Sequence, residues 1–194
     1  MATTKLSAAA YVERGYGQVE PNHLSAQRTG QIYAQLPADA GIAVLENGQF
    51  VKYNYADGAV NFAADGGEWM LVYNEVKVYD EKAQQDCDFA MLKDNYNGYI
   101  AYAGAAAEIN SETKKPVVLG MVPRVFKTNV GDIFTTNTIK AAVGSLSVGS
   151  ELVVGDDGYL TTTAGTKAGT MKWQVVKVYT MPDGQPGVKI VRIA

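Results

Sequence analysis

The chain has 194 residues, of which 47% are hydrophobic and 19% are charged. This composition supplies enough apolar material for the core of one large domain or two small ones, and it excludes a globally disordered chain. Seventeen basic residues stand against twenty acidic ones, which gives a net charge of −3. That balance argues against a strongly basic surface of the kind that binds nucleic acid directly.

Signals for export and membrane insertion are missing from the sequence. The first twenty residues contain no apolar run long enough for a secretory signal, because Lys5, Glu13 and Arg14 interrupt them. No later stretch approaches the roughly 20 apolar residues that cross a bilayer. Cys87 is the only cysteine and cannot form an intrachain disulfide. We therefore expect a protein that is made in the cytoplasm and acts without contact to a membrane.

The first 35 residues differ from the rest of the chain, because glycine, proline and polar residues interrupt every helical or strand period. Apart from a short helix over 5–13, this segment is predicted to be an extended arm without a core of its own. Ordering an arm costs roughly 1–2 kcal/mol per residue in backbone entropy, so its apolar side chains need a partner surface. The residues expected to contact that partner are Leu6, Tyr11, Val12, Tyr16, Val19, Leu24, Ile32 and Tyr33.

Strand signals begin at Leu36. Two short apolar runs flank Asn47-Gly48 in "GIAVLENGQFVKYNY", which predicts a hairpin, since both central residues of a type I′ turn need positive φ. The stretch "EWMLVYNEVKVYD" then predicts a long strand with a β-bulge at Asn74-Glu75, where its apolar phase slips. The best helix candidate is "DEKAQQDCDFAMLKDNY", and "GYIAYAG" predicts a further strand.

The polar stretch "AAAEINSETKKP" predicts a boundary, which divides the chain into an arm (1–35) and two β-units (36–115 and 116–194). In the second unit, "PVVLGMVPRVFK" and "VGDIFTTNTI" predict strands, and "GSELVVGDDGYLTTT" predicts a hairpin that turns at Asp157-Gly158. Residues 172–194 predict a long final hairpin with its loop at 182–187. The predicted fold class is mainly β, with β-barrel or β-sandwich units, an extended N-terminal arm and at most one short helix.

A repeated pattern suggests that the two β-units are related copies. Residues 36–51 align without gaps on residues 146–161, and the tetrapeptide VKVY follows Trp69 in one half and Trp173 in the other. Strands reuse few residue types, however, so chance recurrence accounts for the same pattern without a structural repeat. Both interpretations stay open, and the all-β prediction depends on neither.

Residues that could carry catalysis or hold a metal are few. His23 is the only histidine and lies in the predicted arm, so neither a His-rich metal site nor a hydrolase triad is predicted. Cys87 lies between Asp86 and Asp88, whose negative charges oppose the formation of a reactive thiolate. The acidic turn at 156–158 lacks the ligand spacing of a calcium loop. We expect neither an enzyme nor a cofactor or metal site.

Three stretches carry a resemblance to a known class of protein: "LPADAGIAVLENGQFVKYNY", "PRVFKTNVGDIFTTNTI" and "GSELVVGDDGYLTTT". Each joins short strands rich in Val, Ile and Thr through Gly-Asp or Asn-Gly turns. Together with the extended arm, they make the whole chain resemble small structural proteins of tailed-bacteriophage virions, namely capsid decoration (cement or auxiliary) proteins and related head-fibre bases. The resemblance contains no signature motif, so it transfers no individual site residue.

The resemblance implies a β-barrel or β-sandwich body that sits on the major capsid protein at the capsid exterior. There it would clamp neighbouring capsomers, commonly as a symmetric homo-oligomer, with the arm bridging subunits and weak contacts reinforced by multivalency. Three alternatives remain. The first is a receptor- or glycan-binding β module that uses surface tyrosines such as Tyr11, Tyr16 and Tyr33. The others are a structural component of the tail or neck, and a hydrolase with an unrecognised pair of carboxylates.

Overall fold

The computed structural model describes residues 17–39, 41–42, 45–63, 67–73, 122–167, 169–181 and 184–194. Within these ranges the chain forms two antiparallel sheets, one short α-helix and one 3-10 turn. The prediction of a mainly β fold with at most one short helix is confirmed, and the two open sheets are consistent with a sandwich-like arrangement.

The first sheet has six strands in the spatial order β1-β7-β11-β10-β8-β9. Their bounds are β1 (Val19–His23), β7 (Ile133–Thr136), β8 (Glu151–Val154), β9 (Leu160–Thr161), β10 (Lys172–Thr180) and β11 (Pro186–Arg192). The long β10–β11 hairpin predicted from the sequence is confirmed. The hairpin of β8 and β9 around Asp157-Gly158 is confirmed as well.

The second sheet has five strands in the spatial order β2-β6-β5-β3-β4. Their bounds are β2 (Ile32–Tyr33), β3 (Phe50–Asn54), β4 (Ala59–Asn61), β5 (Trp69–Val72) and β6 (Val125–Phe126). The helix α1 (Ala26–Thr29) lies between β1 and β2 in the chain, and the 3-10 turn covers Val143–Ser145. Every residue of β3, β4 and β5 is buried, which means that apolar layers cover both faces of this sheet.

The main core lies between the two sheets and is organised by three aromatic side chains. Phe50 of the second sheet packs against Phe134 and Trp173 of the first, with ring centroids 6.3 Å and 5.7 Å apart. Trp173 meets Phe134 edge-to-face at 5.0 Å, an arrangement that the quadrupoles of aromatic rings favour. All three side chains are fully buried. This contact joins strands that are more than 80 residues apart in sequence.

A second apolar layer covers the other face of the second sheet. There the segment between β2 and β3 crosses the sheet and buries Ala38, Ile42 and Leu45. These side chains pack against residues of β3, β4, β5 and β6, namely Val51, Tyr53, Val60, Met70, Val72 and Val125. An irregular segment therefore supplies the third layer, in a place where the sequence predicted the first strand of a hairpin.

The Asn47-Gly48 hairpin prediction is only half right. The turn exists, because Gln49 N–H donates to the Glu46 carbonyl and Gly48 has a φ of +92°. In the described part of 36–46, however, the only strand-like contact is an isolated bridge from Ala38 to Val60. This segment packs on the face of the sheet rather than pairing at its edge. The described residues of 36–46 form no strand that corresponds to β8, while residues 43–44 and the first VKVY copy lie outside the described residues, so the structure does not test the repeat.

Residues 17–35 are built into both sheets, so the expectation of an arm without an interior is wrong for this part of the chain. Val19 of β1 pairs with Thr136, and Ile32 of β2 pairs with Phe126. Leu24, between these strands, is only 3% exposed and belongs to the main core. The sequence pattern was misleading because β1 contains Pro21 and both strands are short. The first 16 residues, with the helix predicted over 5–13, lie outside the described residues.

The predicted segments also share one core. β6, from the expected 116–194 unit, pairs with β5 of the expected 36–115 unit and with β2 of the expected arm. The main core takes side chains from all three segments. The boundary near residue 115, the helix candidate at 80–96 and the predicted bulge at Asn74-Glu75 lie outside the described residues.

A backbone contact at Gly158 fixes the β8–β9 turn against the second sheet. Phe50 N–H donates to the Gly158 carbonyl at 2.8 Å, and Gly158 has a φ of +80°. A Cβ atom at this position would overlap the backbone carbonyl oxygen of Phe50. Glycine is therefore required here both for its backbone conformation and for the close approach of the two chains.

Asp132 ties the N-terminal segment to the body. Its carboxylate is 1% exposed and accepts hydrogen bonds from the backbone N–H of Ser25 (2.9 Å), the Ser25 hydroxyl (3.0 Å) and the backbone N–H of Asn129 (2.8 Å). Asn129 also donates through its side-chain amide to the Ser25 hydroxyl at 2.6 Å. The contacts of Ser25 with Asp132 and Asn129 span more than 100 residues of sequence and hold α1 next to β7.

We expect Asp132→Ala to lower the free energy of unfolding by about 3 kcal/mol, because it removes a buried acceptor and leaves the part-buried N–H groups of Ser25 and Asn129 without it. Urea denaturation of the full chain measures this change. The matched control is Asp39→Ala, whose carboxylate accepts one exposed bond from Gly41 N–H at 2.8 Å. Equal losses for the two variants would contradict the role of Asp132.

Candidate partner-binding surface

The residues predicted from the sequence to contact a partner lie in different parts of the structure. Val19 and Ile32 are half-buried and pack against the main core, while Tyr33 packs against the second layer. Leu24 lies inside the core and has almost no surface for a partner. Leu6, Tyr11, Val12 and Tyr16 lie outside the described residues. The partner-binding role of this set stays a prediction, and only its first four members remain unassigned to the fold.

Gly17, where the described chain begins, lies in a groove of about 420 Å³. The groove is lined by Gly17, Glu46, Tyr159, Gln185, Pro186 and the segment 137–143. Gly17 is buried, and a Cβ atom there would overlap the Asn47 carbonyl oxygen. The backbone therefore passes through a constriction at this point.

Glu46 closes one side of this groove with two hydrogen bonds. Its carboxylate accepts from Gly17 N–H at 3.1 Å and from the Tyr159 hydroxyl at 2.8 Å. Burial, followed by the negative charge and hydrogen bond of Glu46, raises the pKa of Tyr159 above its ordinary value of 10.0. Tyr159 therefore stays protonated and remains a donor across the physiological pH range.

The outer face of the first sheet carries a second tyrosine–glutamate pair. The Tyr179 hydroxyl donates to Glu20 at 2.5 Å, so the tyrosine lies across β11 and β7 and covers Thr135, which is fully buried. Burial and the Glu20 contact raise the pKa of Tyr179. Lys177 lies above the Tyr179 ring at 5.4 Å. This face is therefore polar and partly covered rather than open and apolar.

Three tyrosines form a ladder on the second sheet. Tyr53 lies 5.5 Å from Tyr33 and 5.7 Å from Tyr55, measured between ring centroids. Tyr55 is 73% exposed, at the start of the turn between β3 and β4. Hydrogen bonds from the side-chain amides of Asn54 (2.6 Å) and Asn61 (3.0 Å) to Asp57 brace that turn. A rigid backbone therefore presents an exposed aromatic ring.

The structure describes only some of the residues weighed from the sequence for catalysis or metal binding. His23 is exposed at the end of β1, while Cys87 lies outside the described residues. Among the residues that the structure describes, no group of three or more His, Cys, Asp and Glu side chains could hold a metal ion. Asp156 has a structural role in closing the loop between β9 and β10.

Two carboxylates that organise these sites could not be singled out from the sequence. Asp132 and Glu46 were given no role there, yet each accepts hydrogen bonds from the N-terminal segment. A local signal existed for Asp132, because an Asn-x-Gly-Asp turn favours side-chain-to-backbone bonds at 129–132. For Glu46 no such signal existed, because its partners are 29 and 113 residues away.

Comparisons with known proteins return no match: no family model, no curated protein and no solved structure is significantly similar to this chain. In the part of the chain that the structure describes, no helix is long and apolar enough to cross a membrane.

The loop held by Asp156 predicts a pH effect. Lys167 N–H donates to its carboxylate at 2.7 Å, and this bond, reinforced by the amide and hydroxyl of Thr166, lowers the pKa of Asp156 below its ordinary value of 3.8. A carboxyl with a lowered folded-state pKa stabilises the fold above its unfolded pKa, and this contribution is lost as the pH falls through the folded pKa.

We therefore expect Asp156→Asn to lower Tm most near neutral pH, and the difference from the unmodified chain to shrink below about pH 4. Calorimetry from neutral pH into acid measures this. Glu151→Gln serves as the control, because that carboxylate contacts only the exposed Lys172 ammonium at 3.2 Å. A Tm difference for Asp156→Asn that does not change with pH would contradict the assignment.

We expect Tyr159→Phe to lower the free energy of unfolding by about 1–2 kcal/mol, because the half-buried Glu46 loses a donor. Chemical denaturation measures the change. Tyr55→Phe is the matched control and should leave stability unchanged, since its ring is largely exposed. If both substitutions had the same effect, the Glu46–Tyr159 bond would not hold the groove together.

Proposed function

We propose that this protein is a non-enzymatic structural component of a tailed-phage virion that binds the major capsid protein at the capsid exterior and stabilises the shell. One observation carries the proposal beyond the resemblance. Residues 17–35 contribute one strand to each sheet, and the backbone at Gly17 lies in a constriction. The β body therefore holds one end of the N-terminal segment.

The contact to the capsid is assigned to residues 1–16. Their apolar members, Leu6, Tyr11, Val12 and Tyr16, are the part of the predicted contact set that the described core does not use. Residues 1–16, held at one end by the β body, need little affinity at each site. A capsid lattice presents many equivalent sites, so several copies can act together. The homo-oligomer on the particle belongs to the same proposal.

The experiment compares the full chain with a variant that lacks residues 1–16. A larger deletion of 1–35 would remove β1, β2 and the buried Leu24, so lost binding could reflect unfolding. Both proteins are added to undecorated capsids of the phage that encodes the chain, and binding is measured by co-sedimentation. We expect the deletion to reduce bound protein at least tenfold while Tm stays within a few degrees.

A matched control deletes residues 1–4, which precede the first predicted contact, Leu6. This variant should bind like the full chain. If binding is unchanged after deletion of 1–16, these residues do not contact the capsid. Absence of the full chain from purified virions, tested by mass spectrometry of the particles, would overturn the virion assignment itself.

A glycan-binding function is the second candidate, and the exposed Tyr55 favours it. Its ring is fixed by the braced turn and by contact with Tyr53, and sugars stack on rigid exposed aromatic rings of this kind. Screening the full chain on a glycan array, with Tyr55→Ala compared with Tyr73→Ala, tests the idea. Binding lost only in Tyr55→Ala would support a receptor module, whereas no binding by the unmodified chain would end it.

A further inference from the structure

β10 lies between β11 and β8, and its edge on the β8 side is paired along only part of its length. β8 pairs with residues 172–174 of β10, and the turn that precedes β8 continues this cover through hydrogen bonds between Gly149 N–H and the Val175 carbonyl and between Val175 N–H and the Ser150 carbonyl. No described strand pairs with β10 beyond Val175 on this side. Among the described residues, no strand therefore pairs with this edge over the second half of β10.

The register identifies the backbone groups at this edge. Met181 N–H donates to the Gln185 carbonyl, which makes 181–185 a hydrogen-bonded pair of the hairpin. Hydrogen-bonded and non-bonded pairs alternate in antiparallel strands, so Val178 and Thr180, opposite Val188 and Pro186, direct their N–H and C=O groups away from β11. These four groups form a short template on which an incoming strand can pair.

Two features beside this edge indicate what would dock there. Val148 and Val176 are 70% and 43% exposed, and each neighbours in sequence one partner of the Gly149–Val175 hydrogen bond. They give an incoming strand an apolar contact at the point where the cover from β8 ends. Exposed apolar side chains next to unpaired strand backbone are the combination used in strand addition.

The positive charges beside this edge favour an acidic partner. Lys177 and Lys189 lie directly opposite each other on the outer face of the hairpin, and like charges in this position repel. Neither lysine forms an ion pair with any residue that the structure describes. A carboxylate on a strand added next to β10 would lie beside Lys177 and offset this repulsion. A second copy of this edge would add further lysines instead.

We propose that the edge of β10 at Val178–Thr180 docks an extended peptide segment of a partner protein, in which a Glu or Asp alternates with β-branched apolar residues. Lys177 and the bulge at Val176 discourage pairing with neutral or basic strands, as edge defences do. They do not discourage an acidic strand. The identity of the natural partner rests on the proposed virion function, whereas the docking chemistry does not.

The test uses the full chain labelled with ¹⁵N and two peptide probes, STVEVTS and its matched lysine version STVKVTS. We expect STVEVTS to shift the backbone amide signals of Val178 and Thr180 in a saturable manner. STVKVTS should bind about fivefold more weakly, as expected for loss of one exposed ion pair. Lys177→Gln should weaken STVEVTS binding by a similar factor.

Lys172→Gln is the matched control, because Lys172 lies on the same strand where β8 covers the edge. It should bind STVEVTS like the unmodified chain. Three results would overturn the proposal: no shift at millimolar peptide, equal binding of both peptides, or shifts of Val178 and Thr180 that depend on protein concentration without peptide. The last result would identify a second copy as the occupant. A chain that binds STVEVTS but no capsid would keep this site and lose the virion assignment.

Discussion

The structure depends on one contact, the packing of Phe50 against Phe134 and Trp173 between the two sheets. Aromatic side chains of this size bury 150–250 Å² each, so three of them account for a large share of what a core of this size can gain. Because the contact joins residues far apart in sequence, it exists only when the two sheets pack against each other. Leu24 and Val19 pack against the same core, which draws the N-terminal segment into the fold.

Carboxylate side chains stabilise segments of the fold that lie outside the aromatic contact. Asp132 and Asp156 each accept two hydrogen bonds from irregular backbone, and Glu46 accepts one from Gly17 N–H and one from the Tyr159 hydroxyl. They thereby hold segments that no strand ladder reaches. Their chemistry is therefore already engaged in structural contacts. Lys177 and Lys189 differ from them, because they face each other beside an open strand edge with no carboxylate of the described chain to neutralise them. Among the described charged groups, these two lysines on β10 and β11 are therefore candidates for recognition.

The candidate sites were only partly predictable, and particular residues show why. Tyr33 and Leu24 were both predicted to contact a partner, but Tyr33 packs half-buried against the second apolar layer and Leu24 lies in the main core. Their places depend on which strands β1 and β2 meet, and both are short strands with weak local preference. The unpaired edge of β10 could not be predicted from the sequence either. It begins where pairing with β8 stops, and tertiary pairing decides where that is.

Local chemistry alone determined the β character of the chain, the final hairpin and the turn at Asp157-Gly158, because strand alternation and glycine conformations are properties of neighbouring residues. It also placed Trp69 and Trp173 at the start of strands. The tertiary structure decided that residues 17–35 belong to the body and that one core joins the three predicted segments. Those outcomes depend on contacts between residues a hundred positions apart, which no local pattern encodes.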